Sequence, residues 1–150
     1  MTLEVTPQGT RGTRMPKLPR PLRRGIQGLM VWFARREGNR TVVLTTVGAK
    51  SGQPHSVAVG RFPEAEGVFL VVASNGGSAR HPAWYLNMAK NPDQVWAEVG
   101  RRKYKVRPQL LKGAERQAAW QRVITASPSY AAYEKKTDRE IPIVRLVPDA

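Results

Sequence analysis

The chain of 150 residues contains no cysteine, which excludes disulfides and thiolate metal sites and fits a reducing compartment. It has two histidines, His55 and His81, in no ligand-like spacing, so no metal site is expected. No apolar run approaches the ~20 residues that span a bilayer. The N-terminus shows neither a long apolar core nor a cleavage-like site, so no signal peptide is expected. Acidic residues are scarce: 11 Asp and Glu stand against 25 Lys and Arg, a formal charge of +14. Such a field attracts an anionic partner, whether nucleic acid, a membrane surface or a polyanionic small molecule.

What is present suffices for one domain with a real core, since 41% of the residues are hydrophobic. Residues 1–18 are polar, basic and proline-bearing, and read as a mobile arm. Residues 19–150 form the domain. Within it, Leu22, Ile26, Leu29, Met30 and Phe33 take the spacing of one face of a helix over 19–37. Gly25 and Gly28 weaken that helix in isolation, so it needs a surface to lie on. The domain's own sheet is the first expectation. A peripheral contact with an anionic membrane through residues 19–37 is the second.

Runs rich in β-branched residues follow at 41–47, 56–62 and 68–74, separated by Gly, Pro and Ser clusters. A short helix over about 82–90 opens at Pro82. Segments 94–99 and 101–111 read as a hairpin turning at Gly100-Arg101. On its second strand Arg101, Lys103, Lys105 and Arg107 share one face, expected to be solvated. Helices over 114–126 and 128–137 and a closing strand over 141–147 complete the order. Short sequential strands with local connections imply an antiparallel sheet or barrel rather than a doubly wound one.

Two stretches carry chemistry. Gly48 to Ser56, GAKSGQPHS, joins two strands, and its glycines permit backbone N–H groups to converge on an anion beside Lys50 and Ser51. The spacing is not that of a P-loop, and taken alone the stretch is a plain hairpin turn. Residues 73–87, ASNGGSARHPAWYLN, put two glycines beside an aromatic pair and an asparagine. That combination suits a wall for a planar heterocycle.

Joined in order, TTVGAKSGQPHS, ASNGGSARHPAWYLNMAKNP and SYAAYEKKTDREIPIVRL resemble the deazaflavin-dependent nitroreductase and quinone reductase family. The likeness runs from about residue 39 to 148. It implies an α+β split β-barrel of the flavin-reductase, PNPOx-like kind, mostly antiparallel, with the N-terminal amphipathic helix and peripheral helices. It also implies coenzyme F(420), an 8-hydroxy-5-deazaflavin, as hydride donor to quinones or nitroaromatic acceptors.

The resemblance assigns the coenzyme's phosphate to Ala49, Lys50 and Ser51. It lays the strand His55, Ser56, Val57, Ala58, Val59 and Gly60 alongside the coenzyme. Ser74, Asn75, Gly76 and Gly77 lie against it, and Trp84, Tyr85 and Asn87 stand at the far side. Of Trp84 and Tyr85, one is expected to serve as core packing. Tyr130 and Tyr133, three residues apart on one helical face, are placed at the substrate, with Tyr133 also near the coenzyme. Ser74, Tyr130 and Tyr133 are the candidate proton donors. His55 stands where many relatives have arginine and Ala49 where some do, so Lys50 gains weight as the phosphate cation. Asn75 stands where relatives often have lysine, so an ionic contact from that position is lost.

Three readings therefore stand: the deazaflavin enzyme, a split-barrel reductase using flavin mononucleotide (FMN), and a non-catalytic basic binding module. No recognised nucleic-acid motif supports the last. The enzyme reading places the protein in the cytoplasm, with or without attachment to the inner face of the membrane, and leaves a homodimer open.

Overall fold

The computed structural model describes residues 3–14, 18–37 and 40–149. In chain order its elements are α1 (Arg20–Glu37), β1 (Thr41–Val47), β2 (Pro54–Gly60), β3 (Phe62–Ala65) and β4 (Val68–Val72). A 3-10 turn over Asn75–Gly77 leads to α2 (Ala83–Lys90), β5 (Val95–Val99) and β6 (Arg102–Leu110). α3 (Gly113–Ala126), α4 (Ser129–Lys136) and β7 (Ile143–Pro148) follow.

The strands lie in the order β2-β1-β5-β6-β7-β4-β3, every neighbouring pair antiparallel. β6 is the hinge of the architecture. Its first part, Arg102 to Lys105, pairs with β5, and its second, Val106 to Leu110, pairs with β7. One strand thus belongs to two half-sheets, and their inner faces close on a shared core. This is the expected split barrel. Leu44, Phe69, Val71, Tyr85, Met88, Val95, Val106 and Leu146 fill it, all essentially inaccessible to solvent. A second cluster, with Leu70, Val72, Trp120, Val123, Ile141 and Ile143, fixes α3 to the outer side of β4 and β7.

The hairpin between β5 and β6 turns at Gly100-Arg101 as expected, with Gly100 at φ +62°. Lys103, Lys105 and Arg107 are exposed, as a solvated strand face requires. β3 is an addition to the expected strands. It is four residues long, contains Pro63 and lies at the sheet edge, where proline is tolerated. Glu64 fastens it: its carboxylate accepts from Arg145 of β7 at 2.5 and 3.1 Å and from Arg122 of α3 at 2.8 Å.

Two expectations need correction. Residues 3–14 are no free arm. Leu3 N donates to Ala89 O (2.8 Å), Gly9 N to Ala79 O (2.8 Å) and Thr13 N to Gly77 O (3.0 Å). The Asp138 carboxylate accepts from Thr10 N, Thr10 Oγ1 and Arg11 N at 2.9, 2.5 and 3.0 Å, which holds its carboxyl down to about 2. A Cβ at Gly12 would sit 2.3 Å from Ala79 N, so glycine lets the segment lie flat. The segment docks chiefly by hydrogen bonds, with only Leu3 packed against the core, and composition does not register that. Residues 1, 2 and 15–17 of the expected arm lie outside the described residues.

The second correction concerns α1. It rests on β1 and β2 through Val31 and Ala34 against Val43 and Ala58. Leu22, Ile26, Leu29, Met30 and Phe33, the stripe expected to dock, are 41–55% exposed. The helix is rotated so that small residues meet the sheet and the large ones face outward.

These placements predict contrasting costs. Leu44→Ala should lose about 2–5 kcal/mol in urea unfolding, while Leu29→Ser should stay within about 0.5 kcal/mol of the parent. A core-like cost at Leu29 would show that the stripe is covered after all.

Candidate functional site

A cavity of about 890 Å³ opens between the 48–53 loop, β2, the 74–76 wall and the start of α2. Its cationic lining residues are Arg23 and Lys50, joined by His55 and His81, and no acidic residue lines it among those described. The site therefore favours an anionic guest.

The 48–53 loop is closed by Gly48 N donating to Gln53 O (2.8 Å) and Gly52 N donating to Gly48 O (3.0 Å), with Gly52 at φ +69°. α2 pins it. Asn87 Oδ1 accepts from Ala49 N (3.0 Å), Lys90 Nζ donates to Ala49 O (2.9 Å) and Asn91 Nδ2 to Val47 O (3.3 Å). Asn87 and Lys90, spaced i, i+3, share one face of α2, and Asn91 follows at its C-cap. Ala49 N and Gln53 N are thus occupied, the latter by Ser51 Oγ at 3.2 Å. The N–H groups of Lys50 and Ser51 donate to no acceptor among the described residues, and Lys50 makes no ion pair. Two free amides and an ammonium remain for an anion. Ser51 Oγ and His55 Nε2 lie 3.3 Å apart at its edge.

Most residues expected from sequence line the same cavity: Ala49, Lys50 and Ser51, the strand from His55 to Gly60, then Ser74, Asn75, Gly76, Trp84, Asn87 and Tyr130. Three do not. Gly77 has φ +82° and packs beneath α4, where a Cβ would meet Tyr133 O and Lys136 Cβ at 3.0 Å. Tyr85 is fully buried; its hydroxyl donates to Glu4 O (2.9 Å) and accepts from Thr6 N (3.3 Å). It is the core member of the Trp84-Tyr85 pair, and burial pushes its hydroxyl pKa up. Tyr133 supports Tyr130 from behind: Phe62, Tyr130 and Tyr133 form an edge-to-face series with centroids 5.4 Å apart at each step.

The Tyr130 hydroxyl is at the cavity, 3.1 Å from where a Gly60 Cβ would lie, and it has no hydrogen-bond partner among the described residues. Burial, then the neighbouring Tyr133, raise its pKa. It is held as a neutral donor.

Sequence reasoning missed Arg23, Gln27 and Met30, which α1 presents to the cavity. Their i, i+4, i+7 spacing was legible, but the apolar stripe beside it drew the reading. It also missed His81, which lines the cavity yet is almost fully buried. Its Nδ1 accepts from Arg139 Nη1 (3.0 Å), because guanidinium only donates. The proton is therefore on Nε2, which donates to Thr6 O at 2.7 Å. Burial, then the charge of Arg139, lower the His81 pKa.

Two half-sheets sharing β6 define a split barrel of the flavin-reductase kind. A FAD-binding protein from Mesorhizobium loti shares that fold at 15% identity, with a TM-score of 0.52 over 88% of this chain and 90% of its own. The chain belongs to the F(420)H(2)-dependent quinone reductase family, whose model matches residues 26–148. An F(420)H(2)-dependent quinone reductase of Mycobacterium tuberculosis strain H37Rv is 34% identical over 109 residues, 71% of this chain and 72% of that protein. A solved F(420)-H2 dependent reductase, FDR-A, is 39% identical with a TM-score of 0.63, covering 71% of this chain and 93% of its own. A solved structure described as a domain-swapped dimer is 34% identical with a TM-score of 0.66, covering 84% and 93%. An oxidoreductase family replaces the basic-module reading.

His81 gives a pH prediction. A ring whose folded pKa lies below 6.5 contributes stability that is complete above about pH 6.5 and fades as the pH falls toward the folded value. Unfolding free energies of the parent, from urea melts, should drop across that window by at most about 1.4 kcal/mol per pH unit for one proton. His81→Asn should show a smaller slope; equal slopes would remove His81 from the account.

Proposed function

We propose that the cavity binds the reduced deazaflavin coenzyme F(420) and that a quinone enters beside Tyr130. One observation carries this reading: two free loop amides and Lys50 lie at one end of a cavity without carboxylates, and an unpartnered neutral tyrosine hydroxyl lines it as well. When bound, the coenzyme supplies the hydride. Everything else is the work of the chain.

Lys50 and the N–H groups of Lys50 and Ser51 hold the phosphate, with Arg23 adding charge from α1. The β2 backbone from His55 to Gly60 and the Ser74–Gly76 wall hold the ring between them, with Trp84 beside it. Asn87 acts mainly by fixing Ala49. Tyr130 donates a hydrogen bond to the acceptor oxygen that gains charge, and Ser74 is the second donor in reach of the cavity. Tyr133 keeps Tyr130 oriented. Nitroaromatic compounds, whose oxygens offer the same acceptor chemistry, are alternative substrates.

The apolar stripe of α1 supports a second reading for location. Leu22, Ile26, Leu29, Met30 and Phe33 face outward beside Arg20, Arg24, Arg35 and Arg36, all exposed, which suits an anionic lipid surface. No helix of the described residues is long and apolar enough to cross a membrane. We place the protein in the cytoplasm, resting on the lipid that holds its quinone. A homodimer through the same stripe is the competing arrangement.

Fluorescence titration separates coenzyme F(420) from FMN. The deazaflavin should bind preferentially, Lys50→Ala should weaken it about tenfold, and added salt should weaken it further. Preference for FMN would overturn the coenzyme assignment. Tyr130→Phe should lower kcat for quinone with little change in coenzyme affinity; unchanged kcat would leave Tyr130 as packing. Vesicles containing phosphatidylglycerol should retain the parent and release Leu29→Ser/Met30→Ser. Equal retention of both would overturn the lipid reading, and a concentration-dependent dimer without retention would replace it.

A further inference from the structure

Arg139 is 4% exposed and has no carboxylate partner among the described residues. Each of its three nitrogens nevertheless donates, and four of its five N–H groups are engaged. Its Nε donates to Ser78 O (3.1 Å), Nη1 to Ala73 O (3.0 Å) and to His81 Nδ1 (3.0 Å), and Nη2 to Ser74 O (2.9 Å). All four acceptors belong to the segment between the end of β4 and the start of α2, and Ser74, Asn75 and Gly76 in the middle of it face the cavity. Within itself the segment has one 3-10 turn, closed by Gly77 N donating to Ser74 O and Ser78 N to Asn75 O, and two side-chain bonds between Asn75, Ser78 and Arg80. Asn75 is at φ +45°, Gly76 at +63° and Gly77 at +82°, a run of left-handed backbone that ordinary strand or helix bonding does not maintain.

We infer that Arg139 is the positioning residue of this site, setting the shape of the Ser74–Gly76 wall by gathering Ala73, Ser74, Ser78 and His81 around one guanidinium. The inference rests on the coenzyme reading only for what the wall is for; the positioning itself is a property of the free protein. A planar fork with five N–H donors can reach four acceptors in different directions, whereas a lysine ammonium has three donors at one point. The conservative substitution therefore keeps the charge and loses the geometry. Arg139 touches neither cavity nor guest, so its effect on binding must pass through the wall.

The experiment compares Arg139→Lys and Arg139→Gln with Arg116→Gln. Arg116 is also buried, at 7% exposed, but holds Ile141 O (2.8 Å) on α3, away from the cavity. Amide hydrogen exchange is read on the coenzyme-free proteins at Gly77 and Ser78, whose N–H groups donate to Ser74 O and Asn75 O. Coenzyme F(420) affinity is read separately by fluorescence. Arg139→Lys should speed exchange at Gly77 and Ser78 about tenfold while β1 amides stay at the parent rate, and should weaken coenzyme binding about tenfold. Arg116→Gln should do neither.

Unchanged exchange at Gly77 and Ser78, or a rise shared equally by β1, would overturn the inference. Faster local exchange with unchanged affinity would overturn its link to the site. If the parent binds no deazaflavin, the functional reading fails, and the exchange result still decides what Arg139 does. Should Arg139→Gln not fold, the lysine variant carries the comparison.

Discussion

A charge taken out of water must be answered by its surroundings, and the buried guanidinium of Arg139 is answered by neutral acceptors. Removing it from solvent costs several kcal/mol unless each of its nitrogens is engaged. Three backbone carbonyls and one imidazole nitrogen meet that demand. The obligation runs both ways. The carbonyls of Ala73, Ser74 and Ser78 all accept from the arginine, which helps to hold them in the dry interior. His81 must be neutral to accept from it, and the neutral ring must then donate to Thr6, so the N-terminal segment is tied to the same charge. Residues 137–139 act as one pin: Thr137 Oγ1 donates to Arg11 O, Asp138 holds Thr10 and Arg11, and Arg139 holds the wall. Sequence distance exceeds 120 residues across the first two of these contacts.

The other side of the cavity uses a different device for the same end. The 48–53 loop has two positive-φ-tolerant glycines, and it is stiffened by Asn87 and Lys90 of α2 and by Asn91 at the helix C-cap. Spending Asn87 on Ala49 removes one amide from the anion site and orients the two that remain. A loop held at both carbonyl and amide binds with less ordering cost than a free one. The charge of Lys50, by contrast, is left mobile and exposed, which suits capture of an anion better than tight recognition.

Sequence made much of this legible, and the pattern of what it missed is physical. Strand positions followed from β-branched runs, the hairpin from Gly100, and nearly the whole cavity lining from three motifs in order. β3 escaped because a four-residue edge strand containing Pro63 has no periodicity to read. Tyr85 and Gly77 were placed at the coenzyme because adjacent helical residues and adjacent glycines cannot be separated without knowing which side faces inward. The docking of residues 3–14 escaped because it depends on backbone amides and carbonyls, which every sequence has. Arg139 escaped for the opposite reason: one arginine among 25 basic residues gives no sign that it is buried.

α1 shows where a correct pattern leads to the wrong face. Its stripe of large apolar residues is real, yet the surface offered by β1 and β2 is made of Val43 and Ala58, which leaves room for only a close, shallow contact. Val31 and Ala34 give that contact, and it turns Arg23, Gln27 and Met30 toward the cavity mouth. With Leu29 and Met30 each more than half exposed, the helix stands between two apolar environments, the cavity it rims and whatever covers its outer face. Met30 belongs to both, being exposed and lining the cavity together. If the outer face meets the lipid that dissolves a quinone, the acceptor's path from that phase to the cavity passes along one helix.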